Sequence, residues 1–421
     1  MTEEPQRPLI ERPLPKRDLG IFASLRFHDF RLLWIGLMIS NLGTWMQLTA
    51  TGYFIAKLAV TPAVAALFLG LQGLSRAVPV LLLSPVAGVV ADTWPRRRVL
   101  AFTNTAMALL ALALAVLTTL HMMTILGLIV ITALNAAAMS FDSPTRQSWV
   151  PLLVGRDYVG NAIGMNSVAF NAPAVIGPAI AGVLIASIGI AGSFYINAVA
   201  TMAVVVALAF MQPSPPSAAR REPLAGAVWQ GLRYLLGHAI LRPVIIVFIV
   251  TAVLVRPYGT LLPAFAVNVF HANATWLGIA IAATGVGGFA GALLTAYFGS
   301  RERRGLLWLL SALVMSAGVL ALGTVPNLAW ALPVLFIIGT ATLVFLGTSN
   351  TLILTLSPEA VRGRAISVYS MVALGIVPAG ALVLGALASL VGLHRGFVLV
   401  GVASTLAVLW VWLARPILRT V

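Results

Sequence analysis

Residues 63 to 98 read AVAALFLGLQGLSRAVPVLLLSPVAGVVADTWPRRR. From Ala63 to Ala91 the stretch carries a single charge, Arg76, and it then releases Asp92 and the triplet Arg96 to Arg98 within a few residues. A helix needs roughly 20 mostly apolar residues to cross the hydrocarbon of a bilayer. The run therefore reads as a membrane span ending at a charged stop. The whole chain shares this character, being 60% hydrophobic and 9% charged with a mean hydropathy of +1.01, where a soluble domain usually has about a quarter of its residues charged. A barrel would show two-residue alternation, so helices are expected.

Apolar runs bounded by charge predict twelve spans, at roughly 32–56, 63–91, 99–120, 122–141, 158–188, 191–211, 242–268, 275–299, 305–323, 328–350, 364–390 and 396–414. The net charge of +15 could suggest nucleic acid, but its placement argues otherwise. With Met1 in the cytoplasm, 22 of the 26 basic residues fall in cytoplasmic segments, leaving only Lys57, Arg76, Arg256 and Arg395. The positive-inside rule thus places both termini in the cytoplasm and removes nucleic acid as a partner. All 11 acidic residues also map to that side or its edge, with Asp92 and Asp142 at helix ends, so no span carries a carboxylate in its middle. The N-terminal stretch lacks the apolar core of a secretory signal. There is no cysteine, which excludes disulfides and thiolate metal sites.

The domain plan is a cytosolic tail (1–31), a first six-helix bundle (32–211), a linker (212–241), a second bundle (242–414) and a short cytosolic tail (415–421). Residues 212–223 are rich in Pro and Ser and suit a boundary. Beyond them Leu224, Val228, Leu232 and Leu235 recur at helical spacing, which fits either a helix on the membrane surface or a bare tether. The halves echo each other at an offset of about 210 residues: Gly88 to Arg98 has a weaker copy around Glu302, and Asp142 to Arg146 has one at Glu359 to Arg364. Two six-span repeats are one way of building a transporter around a midplane site.

These loops resemble the major facilitator superfamily. Gly88, Asp92, Arg96, Arg97 and Arg98 fit its loop signature Gly-x3-Asp-x3-Arg-Arg/Lys, with Thr93 and Pro95 departing from it. Gly164, Gly177, Pro178 and Gly182 resemble its exporter motif, in which Pro173 and Ala181 replace glycines. The segments Leu25 to Trp34, Ser40 to Gln47, Phe141 to Gln147 and Arg362 to Ser367 are similar to the bacterial branch that includes enterobactin-type siderophore exporters and related efflux proteins. The resemblance implies an all-α membrane protein of twelve helices in two pseudo-symmetric bundles, residing in the bacterial cytoplasmic membrane and needing no cofactor. It also implies a latch: Asp92, with Gly88, Arg96, Arg97, Asp142 and Arg146, docks near Arg362 and Arg364 and shuts the cytoplasmic side. Anchoring to anionic lipid is the other reading of the arginine triplet. Gly177, Pro178 and Gly182 in the fifth span, and Pro378 in the eleventh, suit hinges or tight packing.

The sharpest signals are Arg76, with Gln72 one turn earlier, and Arg256 in Arg256-Pro-Tyr-Gly259. A charge at membrane depth costs at least about 2.5–3.5 kcal/mol by insertion scales. Pro257 cannot donate to the carbonyl of Val253, so this span is expected to be discontinuous. Without internal carboxylates, the arginines face either an anionic substrate or freed carbonyls, amides and headgroups. Ser40, Thr44, Gln47 and Thr51 share one face of the first span; Asn135 and, more weakly, Thr348 and Asn350 join them as candidate lining. Trp45, Phe248, Tyr258 and Phe345 fit either substrate contact or packing.

The function expected is alternating-access transport, with export of an amphiphilic anionic solute set against a proton-coupled multidrug pump for cationic or neutral compounds. Protons are a candidate coupling ion, with antiport implied and Asp142 or the substrate as proton carrier. Anionic lipids at the cytoplasmic face and a monomeric state complete the expectation. Catalysis is excluded, because no cluster of nucleophile, base or metal ligands lies at depth.

Overall fold

The computed structural model describes residues 20–212, 224–298 and 304–419. Residues 213–223 of the Pro- and Ser-rich linker, most of the weaker loop copy near Glu302, residues 1–19 of the N-terminal tail and the last two residues lie outside the described residues. Among those described, the elements are helices without a strand.

Helix α1 (His28–Leu58) leads to α2 (Pro62–Thr93), α3 (Arg96–Thr119) and α4 (Ile125–Trp149). Side-chain caps start two of these: the Thr61 hydroxyl accepts from the Val64 amide at 3.3 Å, and the Thr124 hydroxyl from the Gly127 amide at 3.1 Å. Helix α5 (Val159–Phe210) has 52 residues, about 78 Å at about 1.5 Å per residue against about 30 Å of hydrocarbon. The excess is resolved at Gly189, whose φ of +79° lies in the left-handed region where Gly carries no Cβ penalty. Contacts with α1 show the reversal. Trp34 and Asn41 bond the carbonyls of Met165 and Ala169, running parallel, whereas Gly36 and Gly43 meet Ala203 and Asn197, running antiparallel.

The second part of the chain comprises α6 (Leu224–Gly237), α7 (Leu241–Leu254), α8 (Tyr258–Asn268), α9 (Ala274–Phe298), α10 (Arg304–Leu322), α11 (Leu328–Leu356), α12 (Glu359–Met371), α13 (Val377–Val391) and α14 (Leu393–Ala414). Helices α7 and α8 are separated by Val255–Pro257, where the Arg256 amide reaches back to the Thr251 carbonyl. Helices α12 and α13 are separated by a π-helical turn, Val372–Ile376, with Pro378 just beyond it. These two irregularities touch: a methyl on Gly380 would overlap the Val253 carbonyl and sit 2.8 Å from the Pro257 ring.

Nine helical segments among the described residues are long and apolar enough to cross a membrane. That set takes Arg156–Phe210 as one and leaves out α1 and the interrupted α12–α13.

Arg96, Arg146, Arg242, Arg362 and Arg415 all lie at one end of the helices, the arginine-rich end. The first part (α1–α5) and the second (α6–α14) meet chiefly through α2 with α13, α5 with α9, and α1 and α2 with α8. Glycines set these approaches, and all lie toward the opposite end: Gly70 against Ala381, Gly385 against Ala66, Gly182 against Thr275, Gly278 against Pro178 and Gly52 against Pro263. Toward the arginine-rich end, Gly88, Gly160, Gly164 and Gly363 have nothing within 4 Å of where a Cβ would stand. The two parts therefore touch at the arginine-poor end and stand apart at the other. Gly278→Leu would drive a side chain into the Pro178 carbonyl and should open the closed end. Maleimide labelling of Thr275→Cys, clean because the chain has no cysteine, should then rise several-fold; unchanged labelling would count against this seal.

Candidate functional site

Just below the contact between the two parts lie the two membrane-embedded arginines. The position a side chain would take on Gly73 is 3.7 Å from the Thr260 methyl. Arg76 follows Gly73 by three residues and Arg256 precedes Thr260 by four, so both leave the backbone about one turn from that contact, on its open side.

Arg76 is half-buried and lines a cavity of about 60 Å³ with Asn41, Thr44, Trp45, Asn104, Asn135, Asp142 and Arg146. It forms no hydrogen bond or ion pair within the described protein. Arg256 is half-buried, near the phenols of Tyr258 and Tyr369, and its Nη1 is enclosed without a hydrogen-bond partner. Tyr258 is itself buried, near Thr284.

Asp142 lies elsewhere than the sequence reading puts it. Pro144 does not end α4, which runs on to Trp149, so Asp142 is two turns inside the helix and 6% exposed. It accepts from Asn104 Nδ2 at 2.7 Å and more distantly from the Thr103 hydroxyl and Arg146 Nε, both at 3.4 Å. Arg146 reaches on to Asn166 Oδ1, also at 3.4 Å. The pair leaves the cavity with no net charge of its own, and Arg76 adds one positive charge.

The first-span face is rotated from the expected stripe. Ser40 and Thr44 line the cavity with Leu37, Asn41 and Leu48, whereas Gln47 accepts from Asn197 Nδ2 at 2.5 Å and ties α1 to α5. Gln72 is buried on α2. Phe248 and Phe345 are fully buried, the former stacked on Tyr369 with centroids 4.9 Å apart and the latter on Trp308 at 5.8 Å. They form a packed column. Trp45 instead meets Phe170 edge-on at 6.3 Å beside the cavity.

At the arginine-rich end Arg96 is buried, donates to Ser148 Oγ at 3.2 Å and lies within Coulombic reach of Asp92. Arg97 donates to the Ala209 carbonyl at 3.1 Å and Arg362 to the Ser357 carbonyl at 3.3 Å. Arg362 and Arg364 are exposed. Gly177 packs under Trp45 on α1, and Gly182 and Pro178 pack on α9, so this segment of α5 touches both parts of the chain. The Leu25 to Trp34 segment is structural: Arg26 Nη1 donates to the Tyr158 hydroxyl at 2.7 Å, with Phe27 against the same ring.

Sequence reasoning missed Asn104, Asn41, Thr284 and Tyr369. Asn104 carried a usable signal, a lone amide in an apolar run; the others are placed only by tertiary packing.

A helical fold with broken spans and two parts that meet toward one end is that of solved membrane transporters. The nucleoside transporter NupG shares it, with a TM-score of 0.73 at 15% identity over 91% of this chain and 98% of that one. A bacterial homologue of the lysosomal transporter Spinster, in an inward-facing conformation, gives 0.69 at 16% identity over 92% and 96%. The family model described as transmembrane secretion effector matches residues 19–419, and the chain belongs to that family. Relatives include the staphyloferrin A transporter of Staphylococcus aureus, 27% identical over 86% of this chain and 90% of that protein. The multidrug efflux pump Tap of Mycolicibacterium fortuitum is 26% identical over 79% and 83%. The enterobactin exporter EntS of Citrobacter koseri is 25% identical over 78% and 76%. The chain is a transporter and not an enzyme.

Proposed function

We propose that this chain exports an amphiphilic anionic organic solute from the cytoplasm by alternating access, acting as a monomer in the bacterial cytoplasmic membrane. The observation that carries the reading is the pair of guanidinium groups at the head of the cleft, neither bonded to any described protein group. Each costs at least about 2.5–3.5 kcal/mol at membrane depth, and an anion entering the cleft supplies the missing acceptor. Siderophore export by relatives agrees with an anionic cargo. The alternative, a proton-coupled multidrug pump for cationic or neutral compounds, agrees with the Tap relative, but binding of a cation calls for a free carboxylate at depth. Asp142, the one buried carboxylate among the described residues, is already held by Asn104 and Arg146.

We read the chain as twelve passes in two bundles, a reading supported by nine apolar segments among the described residues, a tenth pass from the reversal inside α5, and α1 and the interrupted α12–α13 as the remainder. The positive-inside rule makes the arginine-rich end cytoplasmic, so the conformation is inward-open. Helices α2 and α13 run antiparallel, with Ala66, Gly70 and Leu81 facing Gly385, Ala381 and Gly375. Extending that register brings Gly88 toward Gly363 and Asp92 toward Arg362 and Arg364 once the cytoplasmic end closes. The otherwise unoccupied space beside both glycines is what such closure would use.

In proteoliposomes, Arg256→Ala and Arg76→Ala should each lower transport of an anionic amphiphile at least tenfold and leave a cationic dye unaffected. Equal loss of both substrates would contradict charge selection. A Gly88→Cys/Gly363→Cys pair should be bridged by a short bis-maleimide whenever the cytoplasmic end closes, with Asp92→Asn cutting the yield several-fold. A yield indifferent to Asp92 would rule out the latch.

A further inference from the structure

The two unbonded arginines belong to opposite parts of the chain, and that placement says more about the ligand than its sign. Arg76 projects from α2 into the 60 Å³ cavity of the first part, whereas Arg256 stands at the α7–α8 break of the second. Both flank the Gly73–Thr260 contact where those parts touch. The carboxylate lining Arg76's cavity, Asp142, is matched by Arg146, and the groups identified near Arg256 are two neutral phenols. The head of the cleft thus carries two positive charges with no counter-charge among the described residues.

Resting on the proposed anion reading, we infer that the ligand is a dianion bridging the two halves, with one oxyanion on Arg76 and the other on Arg256. The lining supports the division. The cavity beside Arg76 is small, about 60 Å³, and is walled by Asn41, Asn104 and Asn135 as well as the arginine. A carboxylate, sulfonate or phosphate suits that wall. The ligand's apolar body then passes along Trp45 and Phe170 in the cavity wall and toward the open cleft, which carries its second charge to Arg256. A monoanion would answer one guanidinium and leave the other unmatched.

The bridge also couples binding to movement. A ligand shifts a conformational equilibrium only through its different affinity for the two states. One that joins Arg76 to Arg256 gains both charge contacts fully as the halves swing together over it. Without it, two like charges oppose that approach.

Rigid acids of one shape test the inference in protein reconstituted in nanodiscs. Biphenyl-4,4′-dicarboxylate should bind the wild type at least tenfold more tightly than biphenyl-4-carboxylate, a difference of about 1.4 kcal/mol. In Arg76→Gln and in Arg256→Gln the two acids should come within about threefold of each other, and Arg76→Lys should restore part of the preference. Equal affinities in the wild type, or loss of preference in only one of the glutamine variants, would overturn the bridge while leaving anion recognition standing. Binding of biphenyl-4-ylmethylammonium as tightly as either acid would overturn the anion reading itself. The wild-type comparison decides the matter even if a variant fails to fold.

Discussion

A guanidinium inside a membrane helix has to be answered by an acceptor, and in this chain Arg76 and Arg256 find none within the described protein. The protein does satisfy its other deep charges. Asp142 and Arg146 are joined to each other and to Asn104, Thr103 and Asn166. The contrast is local. Within one cavity a carboxylate is held by three donors while the arginine sharing its wall has no acceptor, which is the arrangement expected where a ligand completes the set.

The rest of the architecture holds these two groups at the point where the halves separate. Glycines at these crossings let the helices approach closely toward the arginine-poor end, while the α7–α8 break and the π turn before α13 place irregular backbone beside Arg256. π turns inside α-helices are frequent at functional sites. In the proposed closure, the registers that close one end also specify what would meet at the other, so one set of helix faces would serve both states.

Much of this was legible in sequence because the membrane makes charge informative. Arg76 and Arg256 stood out in apolar runs, the Pro257 interruption followed from a missing amide, and the loop signatures named the superfamily. What was not legible depended on rotation and length. A polar stripe on α1 is ambiguous by about one residue of helical phase, so Gln47 turned to Asn197 while Asn41 faced the cavity. The predicted fourth span stops at residue 141, yet α4 runs through Pro144 to Trp149 and carries Asp142 inward. Aromatic residues carry no phase of their own, and only packing revealed Phe248 and Phe345 as core and Trp45 as cavity wall. Nothing in the sequence marks a π turn.

The most direct measurement is a high-resolution structure of the protein in lipid nanodiscs with a dianionic aromatic ligand bound. The account predicts ligand oxygens within hydrogen-bonding distance of both Arg76 and Arg256, with the Asp142–Arg146 pair undisturbed. Guanidinium groups bonded instead to protein carbonyls or lipid phosphates, with the ligand held elsewhere, would contradict it.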